Sequence, residues 1–330
     1  MATIGQWVTE AGGVLHKRDL VALGARDRDL TRAVREREVQ RPRRGWYATF
    51  DPRDPRFVAI AVGGRLTGHS ALAVLGGWIW SAPTSIRVSV PGNASRLRRR
   101  PGATVVFDRD EVSNRGSLAM VDPRDALLRA VLESPFEEAV ALWDWALTGG
   151  AFRAVELAEV YEMLPQDARG IVTWADERSQ SILESIARVR LLQLGHEVTS
   201  QEPVGQNQSI DLVIDGRVAL ELDGRAFHGE SFESDRQKDL TIAIDRRWVF
   251  RVSYDMVRRH WRRVVTALQT ALGLHVGRVR RARDRPVPSG VPRPVTTSRS
   301  ARLWVCRDRT SRTRPRTSER RRVSGITRAV

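Results

Sequence analysis

One cysteine and two lysines are all that 330 residues contain of either type. Cys306 alone can neither close an internal disulfide nor supply half of a four-ligand zinc site. Stability must therefore come from packing, and any metal site from oxygen or imidazole. No apolar run approaches the roughly 18 residues that a membrane span needs, and the opening MATIGQWVTEAGG has neither a basic nor an apolar leader region. The expectation is a cytoplasmic protein without a membrane partner. The scarcity of lysine is the other side of an arginine excess. Lys17 and Lys238 stand against 53 arginines, a bias that looks like GC-rich coding and weakens any argument from a single arginine.

The net charge of +16 suggests nucleic acid as a partner, but its distribution matters more than its sum. Residues 276–330 hold 17 Arg against Asp284, Asp308 and Glu319, a net of +14 that leaves +2 for residues 1–275. That tail is rich in Arg, Pro, Ser and Thr and lacks apolar periodicity, so it is expected to be disordered. It reads equally as an arm that attracts phosphates and as translation past a true stop. The rest of the chain divides into residues 1–52, 53–135, 136–178 and 179–275.

Within 1–52, Leu20 and Leu23 fit a short helix that Gly24 ends, and Leu30, Ala33 and Val34 have the spacing of a second. Val39–Arg41, a Pro42–Gly45 turn and Trp46–Phe50 follow as a small hairpin, the order of a winged helix-turn-helix. Arg28, Arg32 and Arg35 share one face of the second helix, and Arg41, Arg43 and Arg44 would ride on the wing. These arginines are the candidate DNA contacts, against the plain alternative of a solvated helix face. Residues 53–135 alternate short apolar stretches with turns, Ile86–Val90 and Thr104–Phe107 reading as strands, and predict a small α+β unit. Residues 136–178 predict a helical connector.

The chemistry concentrates after Ser181. Leu183, Ile186, Ala187, Leu191 and Leu194 predict an amphipathic helix closed by Gly195, with Glu184 near its start. Glu184 and Arg188, four apart, could instead be a simple surface pair. Two β-rich runs, Ser209–Ile214 and Arg217–Asp223, flank Asp215-Gly216, a hairpin signal. A two-residue turn would send Asp211 and Glu221 through opposite faces of the sheet. A three-residue loop or a bulge would set them opposite each other, and this offset is the expectation. Converging carboxylates suit Mg²⁺ or Mn²⁺, with the Leu222 carbonyl as a further ligand. Asp223, His228, the Asp235–Asp239 pair and a strand at Trp248–Val252 complete the region. His228 is placed to act as a general acid or to position a phosphate.

Leu183-Glu184, Ile210-Asp211-Leu212, Leu220-Glu221-Leu222-Asp223-Gly224, Phe227-His228, Asp235-Arg236-x-x-Asp239 and Phe250-Arg251-Val252 resemble the DUF559 domain, a relative of the very-short-patch repair endonuclease in the PD-(D/E)XK superfamily. About 90 residues carry the resemblance. It implies an α/β fold with a mixed-sheet, restriction-endonuclease-like module over 179–275 and metal-dependent hydrolysis of DNA. Glu184, Asp211 and Glu221 would be its acidic centre and His228 its histidine. Asp223 stands where many members of the superfamily have a lysine, as the repair-type branch also lacks it. Gly24, Arg44-Gly45-Trp46-Tyr47 and His69-Ser70-Ala71 resemble the winged-helix domain of abortive-infection type IV antitoxins, which implies DNA recognition. The alternative to an endonuclease is a non-catalytic, antitoxin-like DNA-binding regulator.

Overall fold

The computed structural model describes residues 2–205, 208–224, 238 and 240–273. His228, Asp235, Asp239 and the tail 276–330 lie outside the described residues. The architecture is mixed α/β, with one antiparallel and two mixed sheets.

The first 50 residues run α1 (Ile4–Glu10), β1 (Val14–His16), α2 (Lys17–Ala22), α3 (Asp27–Arg35) and β2 (Trp46–Ala48). Thr3 and Gln6 cap α1 reciprocally, each side chain accepting from the other residue's backbone N–H, at 3.2 and 2.7 Å. The main partner of β2 is β1, in the register Val14↔Ala48 and His16↔Trp46, and the expected hairpin shrinks to a single bridge between Gln40 and Ala48. Three residues of Val-Leu-His are too short to show alternation, which is why β1 left no sequence signal. Leu20, Leu30, Ala33 and Val39 form the core with Ile4 and Val8 of α1, whereas Leu23 stays exposed.

The next elements are α4 (Pro55–Val62), β3 (Arg65–Leu66), α5 (Gly68–Val74), β4 (Ile86–Pro91), β5 (Ala103–Asp108) and α6 (Asp110–Ser113). Then come α7 (Pro123–Glu133), α8 (Phe136–Thr148), α9 (Ala154–Met163) and a 3-10 turn at Arg169–Trp174. Helices α4, α5, α7, α8 and α9 share one apolar cluster with β4 of the three-stranded sheet β3-β4-β5. Residues 136–178 thus supply a buried helix: every position of α8 from Glu138 to Ala146 is buried, and Ala141 reaches the neighbouring C-terminal core.

That second core lies between α10 (Ile182–Gln193) and a four-stranded sheet ordered β6 (Val198–Val204), β7 (Gln208–Ile214), β8 (Val218–Asp223), β9 (Trp248–Ser253). Helices α11 (Tyr254–Arg259) and α12 (Trp261–Ala271) close it with Val257, Val264 and Leu268. Strands β6, β7 and β8 are antiparallel neighbours, and β8 and β9 are parallel. Strand β6 falls in a stretch the sequence marked only as connecting: Thr-Ser-Gln-Glu-Pro is polar, and it can be a strand because it lies at the sheet's edge, where Pro203 is tolerated.

Candidate active site

The hairpin between β7 and β8 has the expected offset. Ile214 pairs with Val218, so the loop is the three residues Asp215, Gly216 and Arg217. Asp215 and Gly216 take φ of 48° and 65°, a left-handed conformation that glycine adopts freely and aspartate tolerates. The Asp215 carboxylate fastens the loop, accepting from the Glu197 amide at 2.8 Å and meeting His196 Nδ1 at 2.8 Å. Continued one step beyond Leu212↔Leu220, this register sets Asp211 opposite Glu221.

The ladder does not close at that step. Asp211 Oδ2 instead accepts the Leu222 amide at 2.7 Å, so the carboxylate takes the place of a backbone carbonyl. On the other side Asp211 faces Gln201, which has φ of 52° and interrupts the β6–β7 ladder between Ser200↔Leu212 and Glu202↔Ile210. Strict alternation would put Ile210 with Leu212 and Ile214. It lies instead with Val213 in the smaller apolar cluster, while Leu212 and Ile214 lie in the core under α10. The alternation therefore slips at Asp211, which turns its carboxylate out of the ordinary pleat.

Glu184 comes from the first turn of α10, which Ser181 caps. Its two oxygens accept from the Gln180 amide at 2.9 Å, the Ser181 hydroxyl at 2.8 Å and Gln201 Nε2 at 2.8 Å. Gln201 Nε2 also lies 3.4 Å from Asp211 Oδ1, and its Oε1 accepts from Ser209 at 2.5 Å. One amide thus ties the helix carboxylate to the strand carboxylate. A surface pair of Glu184 with Arg188 is not formed: Arg188 turns to the buried Asp144, at 2.8 Å.

Glu221 accepts from Lys238 Nζ at 2.6 Å through Oε2, and its buried Oε1 has no hydrogen-bond partner among the described residues. Asp223, two positions on, shares that face of β8, whereas the Leu222 side chain enters the core. Arg251 stands beside Glu221 in the parallel register.

Burial pushes all three carboxyls, Glu184, Asp211 and Glu221, above the usual carboxylate range. The Asp211 charge adds to this at Glu184 and at Glu221, and Asp223 adds to it at Asp211, while hydrogen bonds and Lys238 oppose it. Each folded group holds a proton to higher pH than its unfolded counterpart. Its contribution to stability is therefore fully present below the unfolded value, about pH 4, and is lost as pH rises through the folded value. An Asp211→Asn, Glu221→Gln variant should consequently melt above the wild type at neutral pH, with the gap narrowing as pH falls from 7 toward about 4. A gap that stays constant across pH would contradict this.

Among the described residues no three His, Cys, Asp or Glu side chains converge as a ready ligand set. The residues nonetheless fit a hard divalent cation, which commonly takes one or two carboxylates and keeps its waters. Glu221 Oε1 is a buried, unpartnered carboxylate oxygen, Asp211 Oδ1 has only a long contact, and two raised carboxyls side by side call for a positive charge. Both oxygens of Glu184 are already engaged in hydrogen bonds.

Lys238 and Gln201 are the residues beside these carboxylates that sequence reading missed. For Lys238 the signal was its type, one of two lysines in a chain with 53 arginines. Elsewhere, Arg28, Arg32 and Arg35 all project from α3 into solvent, with only loose ion pairs of Arg32 to Asp29 at 3.8 Å and Arg35 to Glu36 at 3.6 Å. Arg44 is exposed. Arg43 is not on an open wing: its guanidinium packs over Gly63 and donates to the Arg96 carbonyl at 3.3 Å.

No protein-family model matches the chain, and no curated protein matches it. Among solved structures the chain is similar to the crystal structure of the RV2827C protein from Mycobacterium tuberculosis, at 18% identity and a TM-score of 0.29, over 56% of this chain and 80% of that one. A TM-score so low leaves the fold to rest on the elements described above. No helix among the described residues is long and apolar enough to cross a membrane.

Proposed function

We propose that the chain is a divalent-metal-dependent DNA endonuclease of restriction-endonuclease-like type, whose N-terminal winged helix holds the duplex and whose sheet β6–β9 with α10 carries the chemistry. The observation that supports this best is the three-residue hairpin loop, which sets Asp211 opposite Glu221 and leaves a buried Glu221 oxygen without a partner. In this reading Asp211, Glu221 and the Leu222 carbonyl hold Mg²⁺ or Mn²⁺. When bound, the metal polarises the phosphodiester and lowers the pKa of a water.

The side chains divide the remaining work. Gln201 fixes Asp211 relative to Glu184, so the helix and the strand keep one geometry. Lys238 holds Glu221 Oε2 and leaves Oε1 for the ion. Its ammonium can also orient a water or a phosphate oxygen, a task that in the superfamily this segment resembles falls to a strand lysine, whose place Asp223 takes here. Lys238→Met should lower the rate of nicking by about 10²-fold, equivalent to about 2.7 kcal/mol of barrier, with the fold intact by circular dichroism. Lys238→Arg should restore charge balance without full rate, because a guanidinium has a different shape and number of donors. Wild-type rates in both would refute this role.

The exposed arginine row of α3 and the order α1, β1, α2, α3, β2 support duplex contact by the N-terminal unit. The deciding experiment is plasmid nicking by the purified chain in Mg²⁺ or Mn²⁺, beside Asp211→Ala. Equal nicking by that variant would sink the assignment. The same arginine row supports the second reading, a non-catalytic regulator. Selective binding to particular duplex sequences, with neither cleavage nor a metal-induced thermal shift, would establish that reading instead.

A further inference from the structure

Directly beside the acidic centre lies a groove of about 560 Å³. Its walls include Trp78 and Trp145, Thr148 at the end of α8, Ser179 and Gln180 from the loop before α10, and Gln201 of β6. Two of these residues also belong to the acidic centre: the Gln180 amide and Gln201 Nε2 both donate to Glu184, and Gln201 reaches on to Asp211. A ligand in the groove would therefore sit one residue's width from the carboxylates.

The groove is held rigidly. The Asp176 amide donates to the buried Asp144 at 2.8 Å, which pins the loop to α8, and Ser181 caps α10 at the loop's other end. Trp78, half-buried, gives one wall a flat aromatic surface, while Trp145 is buried with its ring edge-on to Phe152 and most of the remaining lining is polar. The exposed carboxamide of Gln180 adds a donor and an acceptor. Ser179 Oγ, fully buried in the wall, has no hydrogen-bond partner among the described residues, an unusual state for a buried hydroxyl.

We infer that this groove takes one unstacked nucleobase of the strand whose phosphate lies at Asp211 and Glu221, an inference that rests on the nuclease reading and deepens it. A base has the required chemistry, a flat π face with a hydrogen-bonding edge, and enzymes that hold a base outside the helix use aromatic walls with polar groups at the rim. The volume falls within the range for small-ligand pockets, enough for a base and part of its sugar. Gln201 orients Asp211 as well as lining the groove, so filling the groove would align the adjacent phosphate with the centre.

The test needs no cleavage. The full chain is titrated calorimetrically, without metal, with each of the four deoxynucleoside 5′-monophosphates and with base-free deoxyribose 5-phosphate. Binding of at least one nucleotide, at least about tenfold tighter than the sugar phosphate, is expected. Thr148→Tyr narrows the rim and sacrifices only a hydroxyl bond to the Asp144 carbonyl, so it should fold normally and lose that binding by about tenfold. Trp78→Phe should retain it. Equal binding of the base-free sugar phosphate, or wild-type binding by Thr148→Tyr, would overturn the inference. Nucleotide binding by a chain that cuts nothing would support the groove and count against the nuclease reading alone. Metal-dependent cutting with no nucleotide bound would overturn the groove and leave that reading standing.

Discussion

Asp211→Asn is expected to cost at least about 10³-fold in metal-dependent nicking, about 4 kcal/mol of barrier at 1.36 kcal/mol per decade, while raising the melting temperature of the metal-free protein. The two effects have one cause. The asparagine is isosteric, and its oxygen can still accept the Leu222 amide, now 2.7 Å from Asp211 Oδ2, so β7 and β8 keep their splice. What disappears is a charge in a place that resists charge. Burial raises the Asp211 carboxyl, and that charge in turn raises Glu184 and Glu221. Without it, folding at neutral pH no longer confines three acids in one desolvated corner, and each kcal/mol gained appears as about 2–4 °C in a domain of this size. On the nuclease reading the same charge is half of the side-chain set that holds the cation. Activity lost with stability gained is the pattern of a group held in place for function. A structural aspartate would behave oppositely: its removal would lower the melting temperature, and that result would argue against a site here. Addition of Mg²⁺ separates the cases further, since it should raise the melting temperature of the wild type and leave the variant nearly unmoved.

How much of this centre could be read in the sequence depends on how local each signal is. The hairpin was legible because Asp211 and Glu221 straddle an Asp-Gly turn on β-rich runs, and strand parity shows that a three-residue loop, not a two-residue one, would set them opposite each other. The helix that carries Glu184 was legible from the apolar spacing of Leu183 to Leu194 and the closing Gly195, whereas the choice of Glu184 itself rested on the resemblance. Strand β6 was not, because an edge strand of polar residues with Pro203 at its end has no apolar alternation, and with it Gln201 was missed. A residue whose value lies in a positive φ and one amide leaves no periodic trace. Helix α1 was overlooked although Thr3 and Gln6 have capping-box spacing. Lys238 was visible only as a residue type out of keeping with the chain's arginine bias, since its partner Glu221 is 17 positions away. Asp144 was hidden most deeply. It lies between Trp143 and Trp145 in an apolar helix, and its partners Ser185 and Arg188 are 41 and 44 positions on. A carboxylate in such a run was the one available hint, because an unpaired charge there would not be tolerated.

That buried pair should give the largest stability effect in the molecule. Asp144 is fully inaccessible and accepts from Ser185 Oγ at 2.6 Å, Arg188 at 2.8 Å and the Asp176 amide at 2.8 Å. Arg188 also donates to the Trp174 carbonyl at 2.7 Å, so one guanidinium joins α8, α10 and the 3-10 turn. Even with this partner, burial outweighs attraction and holds the Asp144 carboxyl above its usual range. Arg188→Met keeps the stem and removes the charge, leaving Asp144 without its counterion. The expected cost is about 3–5 kcal/mol at neutral pH, read as a shift in the urea midpoint. The sign of its pH dependence follows from the same carboxyl. Deprived of Arg188, folded Asp144 binds a proton even more readily than before, so lowering the pH neutralises the orphaned charge in the variant first. The deficit should therefore shrink as pH falls from 7 toward about 4, near the unfolded aspartate value. A double variant, Asp144→Leu with Arg188→Met, should recover much of the loss, because a well-packed apolar pair can replace a buried ion pair with little penalty. Full stability would not restore function on the nuclease reading. The Asp176 amide would have lost the carboxylate that pins the loop ahead of α10, and with it the fixed placement of the Gln180 amide on Glu184. A double variant that recovers its midpoint and also nicks at the wild-type rate would show that the loop does not need this anchor.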